Sequence, residues 1–305
     1  MKTALALLTT LISIQAHSAV FGIDDRVSLK PGIPGYELAR STAVAVLSAN
    51  FEPTTPGKIK LNVDRLDGSL CPEVKFSKQV SLSYACSGFL VAPDLIVTAG
   101  HCMVNTGESR NETELYCKAF SWLFDFNETT NPASVDADNL YHCKRVVYAV
   151  KDEKAPFRDY ALVQLTRPVK GRTPFKISAA PVGPSDVFGM IGYPMGMPAK
   201  LSKNARILVN NQARQSFLTS LDAFEGNSGS GVFNSKNEIV GILVGGTPSQ
   251  NTLTNGRCEI LNRCSEKGTQ CLLPDKDTSV FPGYQGVGSE VQRIAPLLKL
   301  IQTVK

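Results

Sequence analysis

The stretch Cys86-Ser-Gly-Phe-Leu-Val-Ala-Pro-Asp-Leu-Ile-Val-Thr-Ala-Gly-His101-Cys102 gives the first firm reading of this chain. Two apolar runs, Gly88–Val91 and Leu95–Ala99, flank the pair Pro93-Asp94. β-prone residues on either side of such a pair predict two strands joined by a hairpin turn. The second run ends in an imidazole, and the cysteine after it can pair back to Cys86. A disulfide there would hold the loop of His101 rigid, as a well-placed general base requires.

The same kind of run recurs along the chain. Ala43–Leu47, Arg145–Val150, Tyr160–Leu165, Val187–Tyr193, Ala205–Asn210, Val232–Asn234 and Glu238–Val244 are rich in Val, Ile, Leu and Phe, with Gly, Pro, Asn and Asp between them. Many short strands with turn signals predict a β-sandwich or β-barrel. Ser235-Lys236-Asn237 reads as another hairpin turn, and Asn105–Leu140 and Thr247–Pro282 read as long loops. Helical period is clear only at the C-terminus, where Val291, Ile294, Leu297, Leu298 and Ile301 share a face. Ser289 with Gln292 fits a capping box at its start, and Pro296 marks a kink or a later beginning.

The chain has 305 residues, with 32 Lys+Arg against 27 Asp+Glu and a formal charge of +5. Its 43% hydrophobic and 19% charged content is that of a globular protein, long enough for one large domain or two lobes sharing a cleft. With only 24 glycines, no sustained heptad and no internal period, collagen, coiled coils and repeat arrays are excluded. The mild, scattered charge gives no reason to expect a nucleic-acid partner. Met1-Lys2, the apolar stretch Ala4–Ile14 and Ala16-His17-Ser18-Ala19 read as a secretory signal peptide over residues 1–19, cut between Ala16 and Ala19. That stretch is too short to span a bilayer and no later run is long enough, so no membrane anchor is expected. An exported chain with eight cysteines predicts four disulfides in an extracellular or periplasmic protein. Cys117 and Cys143 fit each other, both falling in the loop region of the first half of the chain, while Cys71, Cys258, Cys264 and Cys271 allow three pairings. With no Cys-x-x-Cys and only His101 and His142 beyond the leader, no metal or other cofactor is expected.

Two more segments carry chemistry. Arg158-Asp159-Tyr-Ala-Leu-Val-Gln-Leu places a carboxylate at the mouth of a buried strand. Glu225-Gly226-Asn227-Ser228-Gly229-Ser230-Gly231 sets a serine in a glycine-rich turn, where the backbone can aim two N–H groups at one oxygen. In the order His101, Asp159, Ser228, these pieces resemble the chymotrypsin/trypsin-like serine peptidases, in which Thr-Ala-Gly-His-Cys and Gly-Asp-Ser-Gly-Gly flank the base and the nucleophile. Gly226-Asn227-Ser228-Gly229-Ser230, Gly192-Tyr193-Pro194 and Phe21-Gly-Ile-Asp-Asp-Arg26 look most like the bacterial glutamyl-endopeptidase-like branch.

The resemblance implies an all-β fold of two six-stranded antiparallel β-barrels with a C-terminal α-helix. The peptidase domain would cover residues 20–288, the first barrel from about 40 to 170 and the second from about 171 to 288, with the helix over 289–305. It implies Ser228 as nucleophile, His101 as general base, Asp159 as its orienting carboxylate and the N–H groups of Gly226 and Ser228 as oxyanion hole. It places Asp222 at the base of the pocket for the residue before the cut, with Gly246 and Gly283 on its walls, and so a preference for Arg or Lys. The alternative is glutamyl or broad specificity, although Leu243 stands where the glutamyl branch keeps a histidine. Two further departures are Asn227, where trypsins pair an Asp with a new N-terminus, and Val244, where they place a serine that supports the catalytic Asp. The expected partners are protein or peptide substrates, and the expected state is a monomer. An α/β hydrolase would need the order Ser, Asp, His and Gly-x-Ser-x-Gly, which this sequence lacks. A non-catalytic binding protein on the same fold is the remaining rival.

Overall fold

The structure, a computed structural model, describes residues 19–83, 85–105, 109–152, 154, 157–246, 252–254, 256–273 and 281–304. The expected signal peptide therefore lies outside the described residues, apart from Ala19.

The opening stretch folds as its pattern predicts. Strands of the first half are β1 (Thr42–Leu47), β2 (Cys86–Ala92), β3 (Leu95–Thr98), β4 (Phe120–Phe124), β5 (Leu140–Asp152) and β6 (Arg158–Leu165). The pair β2–β3 is an antiparallel hairpin, with Phe89 opposite Val97 and Leu90 opposite Ile96. Six strands close into an antiparallel barrel in the order β4-β5-β6-β3-β2-β1. Phe89, Leu90, Ile96, Val97, Trp122 and Leu162 are wholly buried in it, each contributing about 2 kcal/mol by leaving water.

The second half holds β7 (Phe188–Gly192), β8 (Lys200–Ala205), β9 (Ile207–Val209), β10 (Ser216–Thr219), β11 (Gly231–Phe233), β12 (Ile239–Gly246) and β13 (Ser289–Arg293). Together with Val27–Ser28 they make one open antiparallel sheet of eight strands, ordered β9-β10-β13-β12-β11-β7-β8 and then Val27–Ser28. It is a half-barrel, where a second closed six-stranded barrel was expected. The edge of β8 that would close the sheet is already paired with Val27–Ser28, Leu201 facing Val27 and Lys200 facing Ser28.

Two segments differ from their sequence reading. The expected loop Asn105–Leu140 contains an α-helix, α1 (Arg110–Ala119), followed directly by β4. Ser109 caps this helix by accepting the N–H of Glu112, and Glu112 reaches back to the N–H of Asn105. Ser109-x-x-Glu112 has the sequence of a capping box, with the Glu112 carboxylate turned to Asn105 instead of the Ser109 N–H, and the apolar run behind it has no period to announce a strand buried on both faces. At the C-terminus, Ser289–Arg293 is a central strand and the helix α2 spans only Leu297–Val304. Pro296, which cannot sit inside a helix, immediately precedes α2.

The halves share a core. One cluster runs from the barrel across Ile191, Tyr193, Ile239, Ile242 and Val244 to Leu297 and Ile301 of α2, while Phe188, Phe217, Val232 and Val291 form a separate core inside the half-barrel. Four disulfides close the described chain: Cys71–Cys258, Cys86–Cys102, Cys117–Cys143 and Cys264–Cys271. Among the described residues no helix is long and apolar enough to cross a membrane.

Candidate active site

His101 sits in the single turn Gly100–Cys102 that follows β3. A Cβ on Gly100 would run into the carbonyl oxygen of Val150, so only glycine lets this turn lie against the backbone of β5 and β6. That approach brings the imidazole onto Asp159, the second residue of β6. The His101 N–H donates to Asp159 Oδ1 at 2.9 Å, and His101 Nδ1 lies 2.7 Å from Oδ2. Both side chains are buried, 2% and 4% exposed, so water does not compete for these bonds. With Nδ1 fixed by the carboxylate, the ring presents Nε2 as its free nitrogen, and Nε2 has no hydrogen-bond partner among the described residues.

Ser228 arrives from the other half. Its turn leads into β11 and is tied to β12 by the bond from Gly229 N–H to Leu243 O at 2.7 Å. It is also tied to the barrel, since the Ser87 N–H donates to Ser228 O at 2.7 Å and Cys102 Sγ lies 3.8 Å from that same oxygen. Inside the turn Asn227 N–H donates to Phe224 O at 3.0 Å, whereas the N–H groups of Gly226 and Ser228 have no acceptor among the described residues. Gly226 has φ +88°, a conformation glycine adopts without strain, and a Cβ there would strike the Tyr193 carbonyl. Beside it opens a cavity of about 280 Å³ lined by Leu82, Ala85, Met195, Gly196, Glu225 and Gly226.

Ser87 was missed in the sequence. Its hydroxyl donates to Gly226 O at 2.7 Å and accepts from Tyr193 N–H at 3.1 Å, while its carbonyl accepts from Thr98 Oγ1 at 2.7 Å. It thereby stitches the turn of Ser228 to β2 and to the end of β7. The one available signal was a lone hydroxyl in a strand that is otherwise apolar from Gly88 onward.

The residues expected around the primary pocket are placed less simply. Asp222 is 3% exposed, and its Oδ1 accepts the Phe21 N–H at 2.8 Å. Phe21 belongs to the strand Val20–Phe21, which runs parallel to Arg263–Cys264. Burial pushes the Asp222 carboxyl up to about 7, against the pull of the Phe21 amide and the Arg26 guanidinium. Gly246 ends β12 opposite Ser289, and Gly283 lies in the turn after Phe281 with open space around its Cβ position. Asn227 is buried beside Ser230 Oγ, and neither of its side-chain polar atoms has a hydrogen-bond partner among the described residues. Among the described residues, support for Asp159 comes from neither Val244 nor any hydroxyl: its carboxylate is held by His101, and the Asp159 N–H donates to Gln292 Oε1 at 3.1 Å. The sulfur atoms of Cys86 and Cys102 lie near the imidazole, but they are joined in a disulfide and so are not thiolate ligands for a metal.

The model of the trypsin-like peptidase domain matches residues 86–242. A solved structure of a Glu endopeptidase in complex with MPD has a similar fold, with a TM-score of 0.53 over 94% of this chain and 99% of that one at 13% identity. No curated protein matches the chain. The chymotrypsin-like arrangement of closed barrel, half-barrel and C-terminal helix, and a family match that spans the segments of His101, Asp159 and Ser228, lead to one assignment: the chain belongs to the trypsin-like peptidase domain family.

Proposed function

We propose that this serine endopeptidase cuts proteins or peptides with Ser228, His101 and Asp159 as its triad. The observation that carries the reading is the buried 2.7 Å contact between His101 Nδ1 and Asp159 Oδ2 beside a serine turn whose Gly226 and Ser228 N–H groups have no acceptor among the described residues. A serine hydroxyl is a poor nucleophile until a base takes its proton. His101 Nε2 is the base available, and Asp159 both fixes the tautomer that leaves Nε2 unprotonated and stabilises the imidazolium that forms. Ser228 Oγ adds to the scissile carbonyl as its proton passes to Nε2, and the carbonyl oxygen becomes an anion facing the two N–H groups. Removing one such donor typically costs about 3–4 kcal/mol of transition-state stabilisation. The imidazolium then protonates the departing amine, leaving an acyl group on Ser228. Water activated by His101 releases it by the reverse sequence.

For the residue before the cut, the position of Asp222 weakens its role as a pocket base for Arg or Lys and leaves broad specificity as the reading, since Leu243 offers no imidazole for a glutamyl carboxylate. A carboxyl sealed beneath the strand Val20–Phe21 and pushed up to about 7 is a weak counter-ion for a substrate cation. Gly246 and Gly283 remain the proposed pocket walls. The four disulfides fit an oxidising compartment outside the cytoplasm, and we read the protein as exported and monomeric.

The test is a peptide-library digest with wild type and Ser228→Ala side by side, together with an organophosphonate that labels active serines. Labelling of Ser228 and loss of all cleavage in the variant are expected. A folded wild type that takes no label would favour a binding protein. Fast cleavage after Arg and Lys would restore Asp222 as the pocket base.

A further inference from the structure

Asp159 is one of three residues on which the proposed reaction turns, yet among the described residues its carboxylate is hydrogen-bonded only by His101. Its main-chain support comes from the other half of the molecule. β13 runs between β10 and β12, with Gln292 opposite Ser216 on one side and Ile242 on the other. Side chains alternate along a strand, so Val291 points into the core of the half-barrel while Glu290 and Gln292 share the opposite face. That face meets β6.

Gln292 is wholly buried, and its amide is fixed at both ends. Oε1 accepts the Asp159 N–H at 3.1 Å, and Nε2 donates to Gln215 O at 2.8 Å and Arg293 O at 3.3 Å. The orientation is unambiguous, because two carbonyls require the NH₂ and an N–H requires the oxygen. Glu290, two residues before it, accepts from Ser216 Oγ at 2.6 Å and from Arg214 at 3.1 Å. Arg214 in turn stacks over Phe157, two residues ahead of Asp159, at 5.0 Å from the ring centroid. The entrance to β6 is thus gripped by β13 and the segment before β10, with one direct hydrogen bond to the residue that carries the carboxylate.

We infer that Gln292 is a positioning residue, which sets the place of Asp159 against His101 by holding the Asp159 main chain from across the two halves. This rests on the triad reading. It supplies by a main-chain contact the support that a hydroxyl at Val244 would otherwise give to the carboxylate. A shift of about 1 Å in such a group can cost about 100-fold in rate.

The experiment compares wild type, Gln292→Ala, Gln292→Glu and Ser228→Ala on the best-cut peptide from the library, with a thermal melt of each. Gln292→Ala is expected to lower kcat about 10- to 100-fold while KM stays within about twofold, since no substrate atom needs to touch it. Gln292→Glu keeps an acceptor for the Asp159 N–H, but its second oxygen replaces an NH₂ opposite the Gln215 and Arg293 carbonyls, so the buried carboxyl holds its proton into the range in which the imidazole titrates and is coupled to it on ionising. It should move the acid limb of the kcat/KM profile up by about half a pH unit or more, a readout that lost packing alone would not move. The inference is overturned if both variants keep kcat within about twofold and the acid limb stays in place, or if activity falls only as the folded fraction falls. Should Gln292→Ala not fold, the acid limb of Gln292→Glu decides alone. Normal Gln292 variants beside an inactive Ser228→Ala would sink this inference and leave the triad standing, whereas a fully active Ser228→Ala would sink the triad itself.

Discussion

His101 and Asp159 form a short, dry contact whose value lies in which ring nitrogen it leaves free. Asp159→Asn keeps the shape but offers an NH₂ or a weaker acceptor to Nδ1, so the ring can adopt the wrong tautomer. We expect kcat to fall by about 10⁴ with the protein still folded, measured by peptide turnover and circular dichroism. Two other buried groups govern pH rather than chemistry. Asp222, held up at about 7, faces Arg26, Asp24, Asp25 and the Phe21 amide. Lys200, brought down to about 7 by burial, faces Glu128 and Arg26 and donates to Pro198 O at 2.6 Å. For Asp222 the folded state holds its proton more tightly than the unfolded chain, so stability falls as pH rises from about 4 to about 7. For Lys200 the unfolded chain holds the proton more tightly, so stability recovers from about 7 to about 10. Denaturant melts across pH should show Asp222→Asn flattening the acid-side fall and Lys200→Met flattening the alkaline-side rise, each by a few kcal/mol. An unchanged profile in both variants would refute the assignment.

Among the elements, disulfides and strands play different parts. Cys86–Cys102 closes a short loop around the hairpin that ends in His101, and Cys71–Cys258 ties positions 187 residues apart. By loop-closure entropy the first contributes about 3 kcal/mol and the second about 5 kcal/mol. Replacing both cysteines of a pair by serine should therefore lower stability more for Cys71–Cys258. Loss of kcat in the folded protein should be greater for Cys86–Cys102, because only that pair adjoins the imidazole. Parallel melts and turnover measurements would separate the two, and equal kcat in both double variants would count against the rigid-loop argument. The strand β13 shows what sequence period conceals. Ser289, Val291 and Gln292 satisfy a helix-start pattern as well as a strand pattern, and the open slot between β10 and β12 selects the strand.

At the scale of the molecule, the seam between barrel and half-barrel is both core and proposed active site. Ser87 bonds across it to Gly226 and Ser228, and the shared cluster from Trp122 to Ile301 packs through it. Two halves joined by one core should unfold as one unit. Trp122 is the sole tryptophan and lies wholly buried in the barrel, so its emission reports the first half alone. Its denaturant transition should coincide with loss of peptidase activity, which needs both halves. A separate activity loss at lower denaturant would show that the half-barrel opens first.

The opening hairpin and the order of His101, Asp159 and Ser228 could be read directly from residue types, because turn chemistry, apolar runs and a glycine-rich serine turn are local properties. The short runs at Ala43–Leu47 and Tyr160–Leu165 likewise lie within β1 and β6, and that at Glu238–Val244 falls in β12 from its second residue on, since burial on both faces leaves an unbroken apolar signature. Contacts made across hundreds of residues left no such mark. The pairing of Phe21 with Asp222, the use of Val27–Ser28 to occupy the edge of β8, the bond from Asp159 to Gln292 and the choice of Cys71–Cys258 over its alternatives depend on which backbones lie side by side after folding. A polar atom in one strand finds its partner through space, and linear order carries no record of that distance.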